Sequence, residues 1–97
     1  MRILGYERIA AFVKKHADSR APLKTWYSAA GSAAWKSLAE VRRVYPHADA
    51  VGACTVFNIG GNKYRLVAVI DYQTQMIAIS DVLTHAEYNK DKWKSRC

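Results

Sequence analysis

Apolar residues along the chain follow two different periods. Ile9, Phe12, Val13 and His16 stand at i, i+3, i+4 and i+7, which is one face of a helix. Asp18 and Ser19 interrupt that pattern. Pro22 suits the first turn of a second helix, where its missing N–H does no harm. Leu23, Trp26, Tyr27 and Ala30 repeat the helical spacing, and Gly31 is the predicted stop. A third short helix fits Ser37 to Val44, with Leu38, Val41, Val44 and Tyr45 facing inward and Pro46 ending it.

The second half changes period. Thr55–Ile59 is β-branched and aromatic, hence a strand. Gly60-Gly61-Asn62 is a tight-turn signal between two apolar runs, which predicts a hairpin. Tyr64–Tyr72 is a second strand, nearly all apolar and therefore central. Gln73-Thr74-Gln75 is a polar turn, and Met76–Leu83 a third strand. Thr84 and Glu87 have the spacing of a capping box, opening a short basic helix to about Trp93. Arg2–Leu4 reads as an opening strand. The predicted architecture is α+β: N-terminal helices packed on a small antiparallel sheet, then a short C-terminal helix.

Length limits this to one domain, residues 1–97. Composition is that of an ordinary globular chain, with 51% hydrophobic and 24% charged residues. A large enclosed active site is excluded, because a chain this size supports only one modest core. Charge adds the first functional clue. Fifteen Lys and Arg stand against eight Asp and Glu, a net charge of +7. Such a surface attracts a polyanion: nucleic acid, anionic membrane or an acidic protein. No apolar run approaches a membrane span, and Met1–Ala10 lacks the apolar core of a secretory signal, so a cytoplasmic protein without membrane association is expected. Cys54 and Cys97 are too few for a disulfide scaffold, and Cys97 is expected to be exposed. His16, His47 and His85 are scattered and there is no Cys-x-x-Cys, so neither metal nor other cofactor is expected.

Strand alternation puts Arg65, Val67 and Val69 on one face, with Tyr64, Leu66, Ala68 and Ile70 on the other. In the third strand Ala78, Ser80 and Val82 share a face. Pairing across the Gln73–Gln75 turn would let Arg65 and Ser80 share a face near one end of the sheet, beside Asn62, Lys63 and His85. A guanidinium, an ammonium and an imidazole grouped in this way suit phosphodiester chemistry. RNA carries its own nucleophile, the 2′-hydroxyl. A ribonuclease therefore needs to align it, move protons and stabilise charge on the phosphate. Arg65 offers the fork that matches phosphate, His85 a proton exchanger, and Tyr88 a base-stacking ring or a hydroxyl donor. Each has a structural alternative. Arg65 reads equally as a solvated sheet cation, and His85 as a surface residue. Thr84 and Glu87 read as a cap. Lys90, Lys92, Lys94 and Arg96 read as a solvated helix end, and Trp26, Tyr27 and Trp35 as core.

Two segments carry a resemblance. Val56-Phe57-Asn58-Ile59-Gly60-Gly61-Asn62-Lys63-Tyr64-Arg65-Leu66 resembles the central hairpin of HigB-type toxins, RelE-like mRNA interferases of bacterial toxin–antitoxin systems. Asp81-Val82-Leu83-Thr84-His85-Ala86-Glu87-Tyr88 is similar to their downstream segment at the same distance. Leu23-Lys24-Thr25-Trp26-Tyr27 and Tyr45-Pro46-His47-Ala48-Asp49 also look like the family. The resemblance implies helices on an antiparallel sheet and endonucleolytic cleavage of mRNA, often on the translating ribosome. It implies that Arg65 contacts the scissile phosphate, that His85 and Tyr88 stand at the site's edge, and that Asn62 and Lys63 flank bound RNA. Lys90 and Lys94 are further candidate RNA contacts. The implied partners are mRNA, the ribosome and a helix-turn-helix antitoxin covering the basic face. Two positions depart from the pattern. Ser80 follows Ile79 where the family has an arginine, as in Ile-Arg-Asp, and Asn89 follows Tyr88 where the family has Asp. The loss of a charge at 80 implies an attenuated nuclease, or else a non-catalytic RNA- or ribosome-binding module on the same fold.

Overall fold

The apolar stripe of the first helix faces the sheet, as its spacing predicts. The computed structural model describes residues 1–97. In chain order it contains β1 (Arg2–Leu4), α1 (Tyr6–Lys15), a 3₁₀ turn (Ala17–Ser19), α2 (Arg20–Ser32) and α3 (Leu38–Val44). Then follow β2 (Asp49–Val51), β3 (Cys54–Ile59), β4 (Tyr64–Asp71), β5 (Met76–Thr84), α4 (His85–Asn89) and a second 3₁₀ segment (Lys92–Arg96). Ile9, Phe12 and Val13 of α1 and Leu23, Trp26 and Ala30 of α2 are buried against Phe57, Ile59, Tyr64, Leu66, Ala68, Ile77 and Ile79 of the sheet. Tyr27 packs at the margin of this core, and Trp35 lies inside it. Two details of the helices differ from expectation. The second helix runs past Gly31 to Ser32, and Val44 is exposed although Leu38, Val41 and Tyr45 turn inward.

The five strands lie in the order β1-β5-β4-β3-β2. The α+β class holds, but the sheet is mixed rather than antiparallel, because β1 pairs parallel with β5. The chain's first residues run beside β5 and are fixed from behind. The amino group of Met1 donates to the carbonyls of Ala30, Gly31 and Ala33, at 3.2, 3.0 and 2.6 Å. A positive charge there complements the negative end of α2. Strand β2, which no apolar run announces, pairs with β3 through Asp49↔Val56, Ala50↔Thr55 and Val51↔Cys54.

Strand β4 is central, and its alternation is as predicted: Tyr64, Leu66 and Ala68 face the helices, while Arg65 and Val67 face away. Strand β5 departs from simple alternation. Ala68 pairs with Ile79 but Val67 pairs with Asp81, so Ser80 is an extra residue in a β-bulge. A bulge resets the alternation beyond it. Val82 therefore lies opposite Leu66 on the helix face, and does not share a face with Ala78 as a regular strand would require. Arg65 lies opposite Leu83 near the strand end, and Ser80 sits well inside the sheet rather than beside it.

The second face carries a smaller cluster of Cys54, Val56, Val67 and Trp93, with Val51, Leu83, Tyr88 and Cys97 packed against it. The expected helix to Trp93 instead stops at Asn89. Asp91 turns the chain at φ 60°, and the Lys92–Arg96 segment folds back across the sheet. This carries Cys97 to Cys54, and the two form a disulfide across 43 residues of sequence. Two cysteines that gave no scaffold by count are thus joined, and Cys97 is partly buried rather than exposed. Closing a loop of that length stabilises the fold by about 4 kcal/mol on chain-entropy grounds.

Gly5 connects β1 to α1 at φ +98°, and a Cβ there would lie 3.0 Å from the carbonyl oxygen of Ile79. Both the backbone and the space require glycine. Gly5→Ala is expected to lower unfolding stability by about 1–3 kcal/mol, measured by urea titration.

Candidate nucleic-acid interface

One end of the sheet gathers most of the predicted site residues. Gly60 and Gly61 take the left-handed backbone at φ 62° and 69°, which closes the β3–β4 turn and brings Asn62 and Lys63 to its tip. Tyr64 opens β4 directly opposite Thr84, the last residue of β5, so this turn and the start of α4 lie at the same edge. There Thr84 Oγ1 accepts from the Glu87 amide at 3.2 Å, and Glu87 Oε1 accepts from the Thr84 amide at 2.9 Å. This is the predicted capping box, and the Thr84 amide holds the Glu87 carboxyl below its ordinary pKa.

Arg65 is buried, with 7% of its surface exposed. Its Nη1 donates to the carbonyls of Asn62 at 3.0 Å and Tyr64 at 3.1 Å, and its Nη2 donates to Asn62 Oδ1. The guanidinium carbon lies 4.9 Å from the centroid of the Tyr88 ring. Tyr88 in turn stacks on Trp93, with centroids 5.1 Å apart and planes 14° from parallel. Trp93 Nε1 donates to the Tyr88 carbonyl at 2.9 Å. The result is a layered stack of guanidinium, phenol and indole on the face away from the helices. Asn62, Arg65 and Tyr88 are thus in one contact group.

The other predicted residues are placed differently. His85 is the first residue of α4 and is exposed at the same edge. Lys63 pairs with Asp18, whose second oxygen accepts from the Tyr64 hydroxyl at 2.6 Å. Lys90 is exposed and borders a shallow groove of 210 Å³ with Leu83, Lys92, Trp93 and Arg96. Lys94 pairs with Asp91 at 3.2 Å. Ser80 Oγ donates to Asp81 Oδ2 at 3.2 Å, and Arg96 grips the same carboxylate with two bonds of 3.0 and 2.7 Å. Three residues outside the sequence expectation contact this group or its neighbours: Trp93, Arg96 and Asp18. Trp93 had a signal, since a large apolar ring inside Lys92-Trp93-Lys94 is poorly suited to a solvated helix end. Arg96 and Asp18 had none, because their contacts span 15 and 45 residues. No three His, Cys, Asp or Glu side chains are grouped to hold a metal ion, and no helix is long and apolar enough to cross a membrane.

Comparison with known protein families places this α+β chain in the class of RelE-like toxins. More closely, the chain belongs to the HigB toxin family: the family model described as HigB toxin, RelE-like toxic component of a toxin–antitoxin system, matches residues 19–91. It is 47% identical over 34 residues to the mRNA interferase toxin HigB of Escherichia coli K12, a stretch covering 35% of this chain and 33% of that protein. The same figures hold for the mRNA interferase HigB of Shigella flexneri. The match therefore spans about a third of the length of these curated relatives. The family match includes Asn62, Lys63, Arg65, Ser80, His85, Tyr88 and Lys90, whereas Trp93, Lys94, Arg96 and Cys97 lie beyond it.

The Asp18 carboxyl is held below its ordinary pKa, first by Lys63 and then by Tyr64. Such a group holds protons less tightly folded than unfolded, so its contribution is present above the unfolded pKa and lost as pH falls through the folded value. Melting temperature is expected to drop as pH goes from about 5 to about 3, and Asp18→Asn should flatten that drop. Thermal scans of the two chains across this range check it.

Proposed function

We propose that this chain is the mRNA-cleaving toxin of a type II toxin–antitoxin pair, acting in the cytoplasm on ribosome-associated message. The observation that carries this reading is Arg65, fixed by Asn62 beneath Tyr88 at the hairpin end of a HigB-family fold. The names of its relatives, both mRNA interferases, support it. The 2′-hydroxyl of one nucleotide attacks the adjacent phosphate, leaving a 2′,3′-cyclic phosphate and a 5′-hydroxyl. His85, exposed beside the stack, transfers protons at neutral pH. Arg65 stabilises charge on the phosphate oxygens, with a fork that lysine lacks. Tyr88, whose ring lies between Arg65 and Trp93, orients the RNA once that stack parts. Asn62, Lys63, Lys90 and Lys94 take the flanking phosphates. The chemistry proceeds without metal or cofactor, because the substrate supplies the nucleophile. The cognate antitoxin, a helix-turn-helix protein, covers the basic face.

Ser80 supports an attenuated enzyme, since a hydroxyl stands where the family resemblance implies a cation. Arg96 bears on that point, because its guanidinium shares the Asp81 carboxylate with Ser80. The second reading, a module that binds RNA or ribosomes without cutting, draws on the same absent charge.

Mapping new 5′ ends on an mRNA, with and without translating ribosomes, tests the proposal. Cleavage by the chain with Ser80 in place is expected in reducing buffer. Arg65→Ala should lower the rate by about 10²–10³, by analogy with removal of a transition-state donor. Arg65→Lys should not restore it, and His85→Ala should cost about 10²–10⁴. Ser80→Arg should raise the rate. Binding without cleavage in every form would establish the second reading in place of the first. Affinity should fall steeply with salt in either case.

A further inference from the structure

The candidate phosphate-binding arginine is covered in this structure by Tyr88, and a disulfide-tied segment lies over Tyr88 in turn. Arg65 keeps only 7% of its surface exposed, and its guanidinium is spent on the carbonyls of Asn62 and Tyr64 and the side chain of Asn62. Tyr88 lies over it and Trp93 lies over Tyr88. Trp93, 1% exposed, is the anchor of the Lys92–Arg96 segment. That segment is seated at three further points. Cys97 is bonded to Cys54 on β3. The Ala53 amide donates to the Cys97 carbonyl at 2.9 Å. Arg96 grips Asp81 on β5. The seat itself is shaped for the segment: a Cβ on Gly52 would come within 2.5 Å of the Cys97 carbonyl oxygen.

We infer that residues 92–97 form a redox-controlled strap, which in the disulfide state holds Tyr88 and Trp93 closed over Arg65 and on reduction releases them to admit RNA. The inference rests on the reading of Arg65 as a phosphate contact. It adds a control that the family match over residues 19–91 does not contain. The reductant is a cellular thiol couple of the glutathione or thioredoxin class. Its thiolate attacks the Cys97 sulfur, because Cys97 is partly exposed while Cys54 is 1% exposed. The Cys54–Cys97 bond breaks as a mixed disulfide forms, and Cys54 takes up a proton. A second thiolate resolves the mixed disulfide, and Cys97 takes up a proton. Two electrons pass to the protein, and the reductant leaves as its own disulfide. What then holds the strap is a five-residue 3₁₀ segment, with the Trp93 ring and its bond to Tyr88, the Ala53–Cys97 hydrogen bond and the Arg96–Asp81 pair. Short 3₁₀ pieces have little stability of their own. An oxidising shift in the cell would run the exchange backwards and close the site.

The test compares the oxidised chain with the reduced, alkylated chain and with Cys54→Ser and Cys97→Ser, using two readouts. The first is hydrogen exchange at the Ala53 amide and the Trp93 indole. The second is cleavage of an mRNA. Exchange at both protons should rise about tenfold or more on reduction, and cleavage should rise in step, since apparent affinity scales with the open fraction. Both serine variants should match the reduced chain and ignore reductant. If either variant fails to fold, the reduced wild type and the other variant carry the comparison. Unchanged protection on reduction would overturn the strap, whatever the cleavage result. Faster exchange with equal or lower cleavage would overturn its control of the site. Faster exchange with no cleavage by any form, Ser80→Arg included, would overturn the nuclease reading and leave the strap as an opening device.

Discussion

A buried guanidinium must have its donors satisfied, and that requirement organises the hairpin edge of this molecule. Leaving a charged donor without a partner inside a protein costs several kcal/mol. At Arg65 the acceptors come from Asn62 and from the backbone of Tyr64, so the β3–β4 turn must present two carbonyls and one side-chain oxygen to a single fork. The left-handed Gly60-Gly61 pair turns the chain tightly there without strain and places Asn62 beside the fork. The capping box at Thr84 then fixes the first turn of α4, and that turn sets Tyr88 over the guanidinium. Turn, strand end and helix start are thus three devices serving one cation.

The main architecture is legible because each element announces itself by one period. The i, i+3, i+4, i+7 stripe at Ile9–His16 and its repeat at Leu23–Ala30 have no alternative as strands. The apolar run from Tyr64 is too long and too flanked by turn residues to be anything but a central strand. Its alternation separates Arg65 from Leu66 correctly, because β4 itself carries no bulge that would reset it. The candidate site is legible for a related reason. Asn62, Lys63, Arg65, His85 and Tyr88 are all local to two chain segments whose ends meet whenever β4 and β5 form a hairpin.

What stays hidden depends on contacts over long sequence distances or on a single inserted residue. The bulge at Ser80 leaves no mark in an otherwise regular apolar strand, yet it moves Val82 to the opposite face from the one its number implies. The parallel pairing of β1 depends on where α2 ends, since the Met1 amino group is held by carbonyls about thirty residues away. The Cys54–Cys97 bond needs the chain to reverse at Asp91, a residue in the left-handed region with no glycine to advertise the turn. Counting cysteines says nothing about such a reversal.

These long-range contacts also divide the basic surface into two kinds of cation. Lys63, Lys94 and Arg96 rest against Asp18, Asp91 and Asp81 near the surface. The two exposed lysine pairs are worth about 0–1 kcal/mol each, so exchange of their carboxylates for a phosphate carries a small cost. Arg65 is different, because its partners are neutral acceptors inside a closed stack and exchange requires the stack to part. A polyanion can therefore dock on the lysines while the buried arginine stays closed. On the proposed reading, docking and contact of the phosphate with Arg65 become separable steps. On that reading, access to Arg65 depends on what holds Tyr88 and Trp93 in place, and the surface charge governs only the docking.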